Sequence, residues 1–303
     1  MALMPPAELD ITAGLVRSLL EEQLPAFSDL PLELVANGWD NVIYRLGKDW
    51  AVRLPRREAA ALLVLHEQQY LPTFARRSPV PLPRPIHSGR PSADYPWHWS
   101  VTPWLEGVSA ALVPQATRNA AAEDMAAFLM AIHLPAAPDA PVNPFRGVPL
   151  GTRSGAVLDR LKDSGRYPEA PCLRELWSEA CLALPWDGPG LWLHGDLHPA
   201  NVLLRPDGRL AAVLDFGDLG AGDPAVDLAV AWLMFDVGAR HRFMAAFGPA
   251  VDAGTWSRAR GWAVLFATAM LSFSDDNPQM SGIGHFALDQ LLSEPRSPNP
   301  ADA

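Results

Sequence analysis

Between residues 193 and 219 the chain reads LHGDLHPANVLLRPDGRLAAVLDFGDL, with Asp196 five residues ahead of Asn201 and an Asp215-Phe216-Gly217 triplet further on. Phosphoryl transfer to a hydroxyl asks for few groups from a protein. A carboxylate must orient and deprotonate the acceptor, and oxygens must hold Mg²⁺ against the nucleotide phosphates. Asp196 is placed to take the acceptor's proton. Asn201 and Asp215 are placed to hold metal, since Mg²⁺ usually takes only one or two protein carboxylates and completes its octahedron with phosphates and water. His194 is expected to pack beneath Asp196 and hold the turn. His198 reads equally as a substrate-facing or a solvated loop residue.

The elements that must position these groups can be read around them. Apolar residues 191–193 lead into the loop. Residues 202–204 and 211–214 read as short strands joined by a turn at Pro206-Asp207-Gly208. A hairpin returns its two ends to one place, so Asn201 at the entry and Asp215 at the exit can serve the same metal site.

The run HGDLHPANVLL…VLDFGDLGAGDPAVDLA strongly resembles the aminoglycoside phosphotransferase family, the small-molecule branch of the protein-kinase-like fold. The resemblance covers about residues 30 to 290 and is specific for the family but weak for the substrate. It implies an α+β, two-lobed kinase-like fold. The N-lobe, residues 1–106, would hold a small antiparallel sheet, and the mostly helical C-lobe, residues 107–303, the catalytic loop and acceptor cleft. It also implies Mg²⁺, ATP or GTP as donor, and O-phosphorylation of a small molecule, foremost an aminoglycoside or related cationic antibiotic. The alternatives are a macrolide or other small-metabolite kinase of choline or sugar type and, in a different class, a nucleotide-binding pseudokinase.

Upstream, residues 8–24 read as a helix on the small lobe, and residues 32–36, 42–46 and 50–54 as strands turning at Asn37-Gly38 and Gly47-Lys48-Asp49. By resemblance the first turn covers the nucleotide phosphates. The glycine pattern there is reduced to Gly38, and backbone near Asp40 and Asn41 would approach phosphate oxygens. Relatives carry a lysine on the third strand. Arg53 holds that position here, and its fork of donors suits phosphate. Arg56 and Arg57 are expected to be solvated or at the nucleotide's rim. An alanine- and leucine-rich helix over 57–70 offers Glu67 as partner of the strand cation, with Glu58 explained by the helix dipole alone. The hinge after residues 99–103 would grip the base through the Pro103 carbonyl and the Leu105 N–H, since proline has no N–H to give.

Downstream, helices are expected over 116–134, 153–184, 225–246, 255–272 and 282–292. Asp223 with Pro224 reads as a helix start. Asp227 is expected, by the resemblance, to hydrogen-bond the backbone of the catalytic loop and not to bind metal. Asp275 and Asp276 lie in a loop that could face a cationic substrate.

The formal charge is −10, which argues against nucleic acid as a partner. Residues 1–100 carry a net −1 and residues 101–303 a net −9, a field that mildly favours a cationic acceptor. No apolar run is long enough for a membrane span, and the start lacks the pattern of a signal peptide. Cys172 and Cys181 are too few for a disulfide framework and read as buried thiols. A cytoplasmic protein, monomeric or at most a weak homodimer, is the expectation.

Overall fold

The computed structural model describes residues 6–293. The sequence SEPRSPNPADA, residues 293–303, reads as a disordered tail, and from residue 294 on it lies outside the described residues.

The chain opens with α1 (Ala13–Gln23), then β1 (Leu32–Asn37), β2 (Asn41–Leu46) and β3 (Trp50–Pro55), α2 (Glu58–Ala75), β4 (His87–Gly89) and β5 (Trp99–Pro103). These strands form an antiparallel sheet of order β1-β2-β3-β5-β4. Its register sets Arg53 opposite Ile43 on one side and Ser100 on the other. Apolar side chains of the sheet and α1 make one core, with Val16, Leu20, Leu46, Val52, Leu54, Trp99 and Val101 buried.

After residue 103 the chain becomes mostly helical. It runs through β6 (Val108–Ser109), α3 (Gln115–Arg118), α4 (Ala122–Ile132), α5 (Ser154–Arg160) and α6 (Ala170–Leu182). Next come β7 (Leu191–Leu193), β8 (Val202–Leu204), β9 (Leu210–Val213) and β10 (Gly220–Gly222). Five helices follow: α7 (Ala225–Leu228), α8 (Val230–Met234), α9 (Val237–Phe247), α10 (Ala253–Phe273) and α11 (Pro278–Ser293). The β8–β9 hairpin pairs with β6, and β10 returns antiparallel to β7. Around α10, which is buried on almost every side, lies a second and larger core.

The departures from the sequence expectations have local causes. The first helix begins at Ala13 and not at residue 8, because Thr12 caps it through Oγ1 from Leu15 N at 3.2 Å. Ahead of it, Ile11 is buried and its carbonyl accepts from Tyr44 OH at 2.9 Å. α2 continues past residue 70 and through Pro72, because Leu71 and Phe74 are drawn into the second core. The helix expected over 116–134 breaks at Asn119, and that over 225–246 breaks at Ala229 and again before α9. One pair accounts for two of these breaks. Asn119 Nδ2 donates to Asp236 Oδ2 at 2.6 Å and its Oδ1 accepts from Asp236 N at 3.2 Å, while Asp236 caps α9 from Ala239 N at 2.9 Å. Cys172 and Cys181 share α6 and form no disulfide, half-buried and not buried as expected. No helix among the described residues is long and apolar enough to cross a membrane.

Asp223 does accept from Ala225 N at 3.0 Å, but its main partner is Arg258 of α10, at 2.7 and 3.2 Å, in a buried ion pair. Removing one member of such a pair strands the other in the core. Arg258→Leu is therefore expected to cost about 3–5 kcal/mol in urea unfolding, and adding Asp223→Asn to it should recover part of that loss.

Candidate active site

The catalytic loop follows β7, and its backbone is held by one carboxylate. Asp227, fully buried on α7, accepts from His194 N (Oδ2, 2.8 Å) and Gly195 N (Oδ1, 2.8 Å). Its Oδ2 also meets His133 Nε2 at 2.9 Å. Burial opposes its ionisation, and the hydrogen bond and charge of His133 outweigh that, leaving its carboxyl below the usual range. Gly195 sits at φ +87°, and a Cβ there would fall 2.3 Å from the Asp218 carbonyl oxygen, so only glycine fits. His194 lies fully buried under the loop. Its Nδ1 accepts from Asp196 N at 3.2 Å, which assigns the proton to Nε2 and makes Nε2 the donor to Leu214 O at 2.9 Å. Its ring packs on Phe216, with centroids 4.6 Å apart.

Asp196 is half-buried at the loop's turn. Arg146 Nη2 donates to its Oδ1 at 2.8 Å, and His198 Nε2 lies 3.4 Å from Oδ2. His198 is buried and not solvated. Burial alone would raise the Asp196 carboxyl, but the Arg146 charge and then His198 hold it well below the usual carboxylate range. Asp218 stands close by, with Oδ2 3.9 Å from Arg146 Nε and Oδ1 accepting from Asn143 Nδ2 at 2.7 Å. Burial and the negative charge of Asp196 push the Asp218 carboxyl up.

Asn201 ends the short helical turn before β8. Its Nδ2 donates to the Asp196 carbonyl oxygen at 3.0 Å, which leaves Oδ1 as the end of the amide suited to a cation. Asp215 follows β9 with φ +58°, a left-handed conformation that aspartate tolerates better than most side chains. Its carboxylate is half-exposed (52% of the side chain) and accepts from Arg53 Nη2 at 2.6 Å. Arg53 also donates to buried Glu67 through Nη1 at 2.5 Å. Glu67 is pushed up to about 7 by burial, against the pull of Arg53. Buried Asn41 turns its amide oxygen to Arg53, 3.0 Å from Nη2 and 3.2 Å from Nε. Asn41 thus orients the strand cation through its side chain.

These groups suit a hard divalent cation. Burial disfavours the charge of Asp215 and Arg53 restores it, while the charge of Asp196 acts against it. The Asp215 carboxylate and the Asn201 amide oxygen form a donor set that Mg²⁺ with phosphate and water ligands would satisfy. Among the described residues no cluster of three or more His, Cys, Asp or Glu could hold a metal by itself, so a bound ion would need non-protein ligands.

At the hinge, Trp104 N is spent on Asp49 O at 2.7 Å, while Pro103 and Leu105 are half-buried on either side of it. Arg56 is buried and donates to Gly38 O at 2.9 Å, and Arg57 pairs with Asp40, so neither arginine is a solvated rim charge. Both brace the turn at residues 38–41. Asp275 is likewise not free for a substrate, because Arg166 binds it bidentately at 2.6 and 3.2 Å.

The sequence reading missed Arg146, Asp218 and Asn143. Asp218 was in view, three residues after Asp215, but carried no spacing rule. Arg146 and Asn143 lie in a proline-rich connection with no motif, and only folding brings them to Asp196.

A fold with a five-stranded sheet joined by a hinge to a helical part that carries such a loop is that of the kinase-like phosphotransferases. The chain belongs to the APH phosphotransferase enzyme family, whose model matches residues 31–262. It is 31% identical over 163 residues to the aminoglycoside 3'-phosphotransferase of Streptomyces fradiae, a match covering 52% of this chain and 60% of that relative's length. Among solved structures it is similar to the GDP complex of aminoglycoside 2'-phosphotransferase-IIIa, with a TM-score of 0.67 at 17% identity, over 91% of this chain and 97% of the other. It is also similar to macrolide 2'-phosphotransferase MphH from Brachybacterium faecium, with a TM-score of 0.55 at 20% identity, over 93% and 98%. At such identities these two likenesses establish the fold.

Asp227→Asn should test the loop's support. The amide would set a donor against one of the N–H or His133 donors now received, so a loss of about 2–4 kcal/mol is expected at neutral pH. The folded-state carboxyl is depressed, so its stabilisation is present above the unfolded value near 4 and fades as pH falls through the folded one. The gap between wild type and variant in thermal unfolding should therefore narrow in acid.

Proposed function

We propose that this protein transfers the terminal phosphoryl group of ATP or GTP to a hydroxyl of a small molecule. The observation that supports the reading is the joining of Asp196, Asn201 and Asp215 in one hydrogen-bonded unit. Asn201 Nδ2 holds the Asp196 carbonyl, His194 links Asp196 N to Leu214 O beside Asp215, and Arg53 is anchored behind Asp215 by Glu67 and Asn41. In this reading Asp196 orients the acceptor hydroxyl and receives its proton. Arg53 grips the α- and β-phosphates, and the backbone beside Asn41 faces them from above. The Pro103 carbonyl and the Leu105 N–H read the base, with the lobes dividing after residue 106. Asn201 and Asp215 would hold Mg²⁺, which when bound neutralises phosphate charge. Transfer proceeds directly, without a phosphoenzyme, because Asp196 acts on the acceptor and not on phosphorus.

For the acceptor, the aminoglycoside reading is supported by the family and by the Streptomyces fradiae relative's name. The acidic later part of the chain adds mild support, its net −9 already counting the cations Arg209, Lys162, Arg258 and Arg166 that pair with Asp124, Asp159, Asp223 and Asp275. A macrolide acceptor is the second reading. It is favoured by Phe145, 57% exposed beside Arg146 and stacked under Arg153, which offers apolar surface to a lactone ring. Nucleotide and Mg²⁺ supply place the work in the cytoplasm, with antibiotic resistance as its use.

Nucleoside-diphosphate release against a panel of aminoglycosides, macrolides and amino-sugars tests the reading, and a pseudokinase would show no turnover with any of them. Asp196→Ala should lower turnover by about 10²–10⁴-fold and leave nucleotide affinity nearly intact. Asp215→Ala should weaken Mg-nucleotide binding as well, measured by calorimetric titration. A strong loss of nucleotide affinity in Asp196→Ala would count against its assigned role.

A further inference from the structure

The segment that delivers Arg146 to Asp196 is tied down along its whole length. Pro141 O accepts from Ala221 N at 2.8 Å and Gly147 O from Asp223 N at 2.9 Å, so the segment lies against β10. Asn143 fixes its middle. Its Oδ1 accepts from Phe145 N at 2.9 Å and Arg146 N at 3.2 Å, while its Nδ2 donates to Asp218. Gly147 closes the turn at φ +64°, where a Cβ would fall 2.4 Å from Leu193 Cδ1. The guanidinium is stacked 4.8 Å over the Phe266 ring of α10, and only 21% of the side chain is exposed. A free arginine side chain has many rotamers to lose on binding a ligand. Here folding has already confined it, before any ligand arrives.

A guanidinium held against the carboxylate that should receive a proton makes that carboxylate a weaker base. In a loose phosphoryl-transfer transition state this matters little, because charge gathers on the equatorial oxygens of the moving group and not on the acceptor. An acceptor hydroxyl about 2.7 Å from Asp196 and about 3–3.5 Å from phosphorus brings those oxygens within the span of the Arg146 fork. In that arrangement Arg53 on β3 and the Asn201–Asp215 pair of the hairpin would hold the nucleotide, which leaves Arg146, paired with Asp196, as the cation on the acceptor's side.

On the phosphotransferase reading above, we propose that Arg146 is a further catalytic residue, whose guanidinium contacts the phosphoryl group in flight as well as Asp196. The acceptor oxygen forms its bond to the terminal phosphorus as the bridging P–O bond breaks. The bond pair leaves with the nucleoside diphosphate, and the hydroxyl proton passes to Asp196. Arg146 neither gains nor loses a proton and acts on the charge of the transferred group.

The slow Mg²⁺-dependent hydrolysis of ATP or GTP by water, with no acceptor added, separates this role from acceptor recognition. Arg146→Gln is expected to lower the kcat of that hydrolysis by about 100-fold or more, with nucleotide KM within about threefold, and Arg146→Lys to restore part of it. Thermal melting of both variants reports folding, and the lysine variant carries the test if the glutamine variant fails to fold. Unchanged hydrolysis in Arg146→Gln would overturn the proposal and make Arg146 an acceptor contact. Faster hydrolysis would overturn it too, by showing a plug on the catalytic carboxylate. A wild-type protein inert toward nucleotide, with and without acceptors, would sink the kinase reading itself, and this inference with it.

Discussion

One buried carboxylate sets the geometry on which the active site rests. Asp227, itself fully buried, gathers two consecutive backbone N–H groups of the loop and His133, which caps the end of α4. Those N–H groups belong to a turn that passes through Gly195 at positive φ, and such a turn cannot pair them within a strand or helix. Burying them unpaired would cost about 1–3 kcal/mol each. Asp227 resolves that cost and in doing so fixes the direction in which Asp196 leaves the chain. His194 then ties the same turn to the strand that carries Asp215, through Leu214 O.

The charges of the site are arranged in alternation. Glu67, Arg53 and Asp215 form one run, and Asp196, Arg146 and Asp218 the other. Each run sets one arginine between two carboxylates. Where the two runs meet, the charge of Asp196 acts against the ionisation of Asp215. On the proposed function, a cation beside Asp215 would relieve that opposition. The same arrangement explains why an arginine suits this place on β3. Its planar fork reaches two carboxylates at once, where an ammonium is a single point charge.

Much of this was legible along the chain. The spacing of Asp196, Asn201 and Asp215, the hairpin between them, the strands of the sheet, and the choice of Arg53 and Glu67 all rest on local pattern or on helical and strand periodicity. The structure forms the hairpin and the sheet at those places and pairs Arg53 with Glu67. What was misread follows one rule. The breaks at Asn119 and Asp236, the run of α2 through Pro72, the burial of Arg56 and the capture of Asp275 by Arg166 each depend on a partner distant in sequence.

The sequence by itself therefore determined the family, because the loop that carries Asp196 and Asn201 and the hairpin that leads to Asp215 lie in one short stretch whose spacing is the family's signature. Only the tertiary structure decided what stands against that loop. Arg146 and Asp218 meet at Asp196 through the packing of a connection against β10 and of a guanidinium on Phe266. No periodicity records such a meeting, since its energy comes from contacts that exist only once both cores have closed.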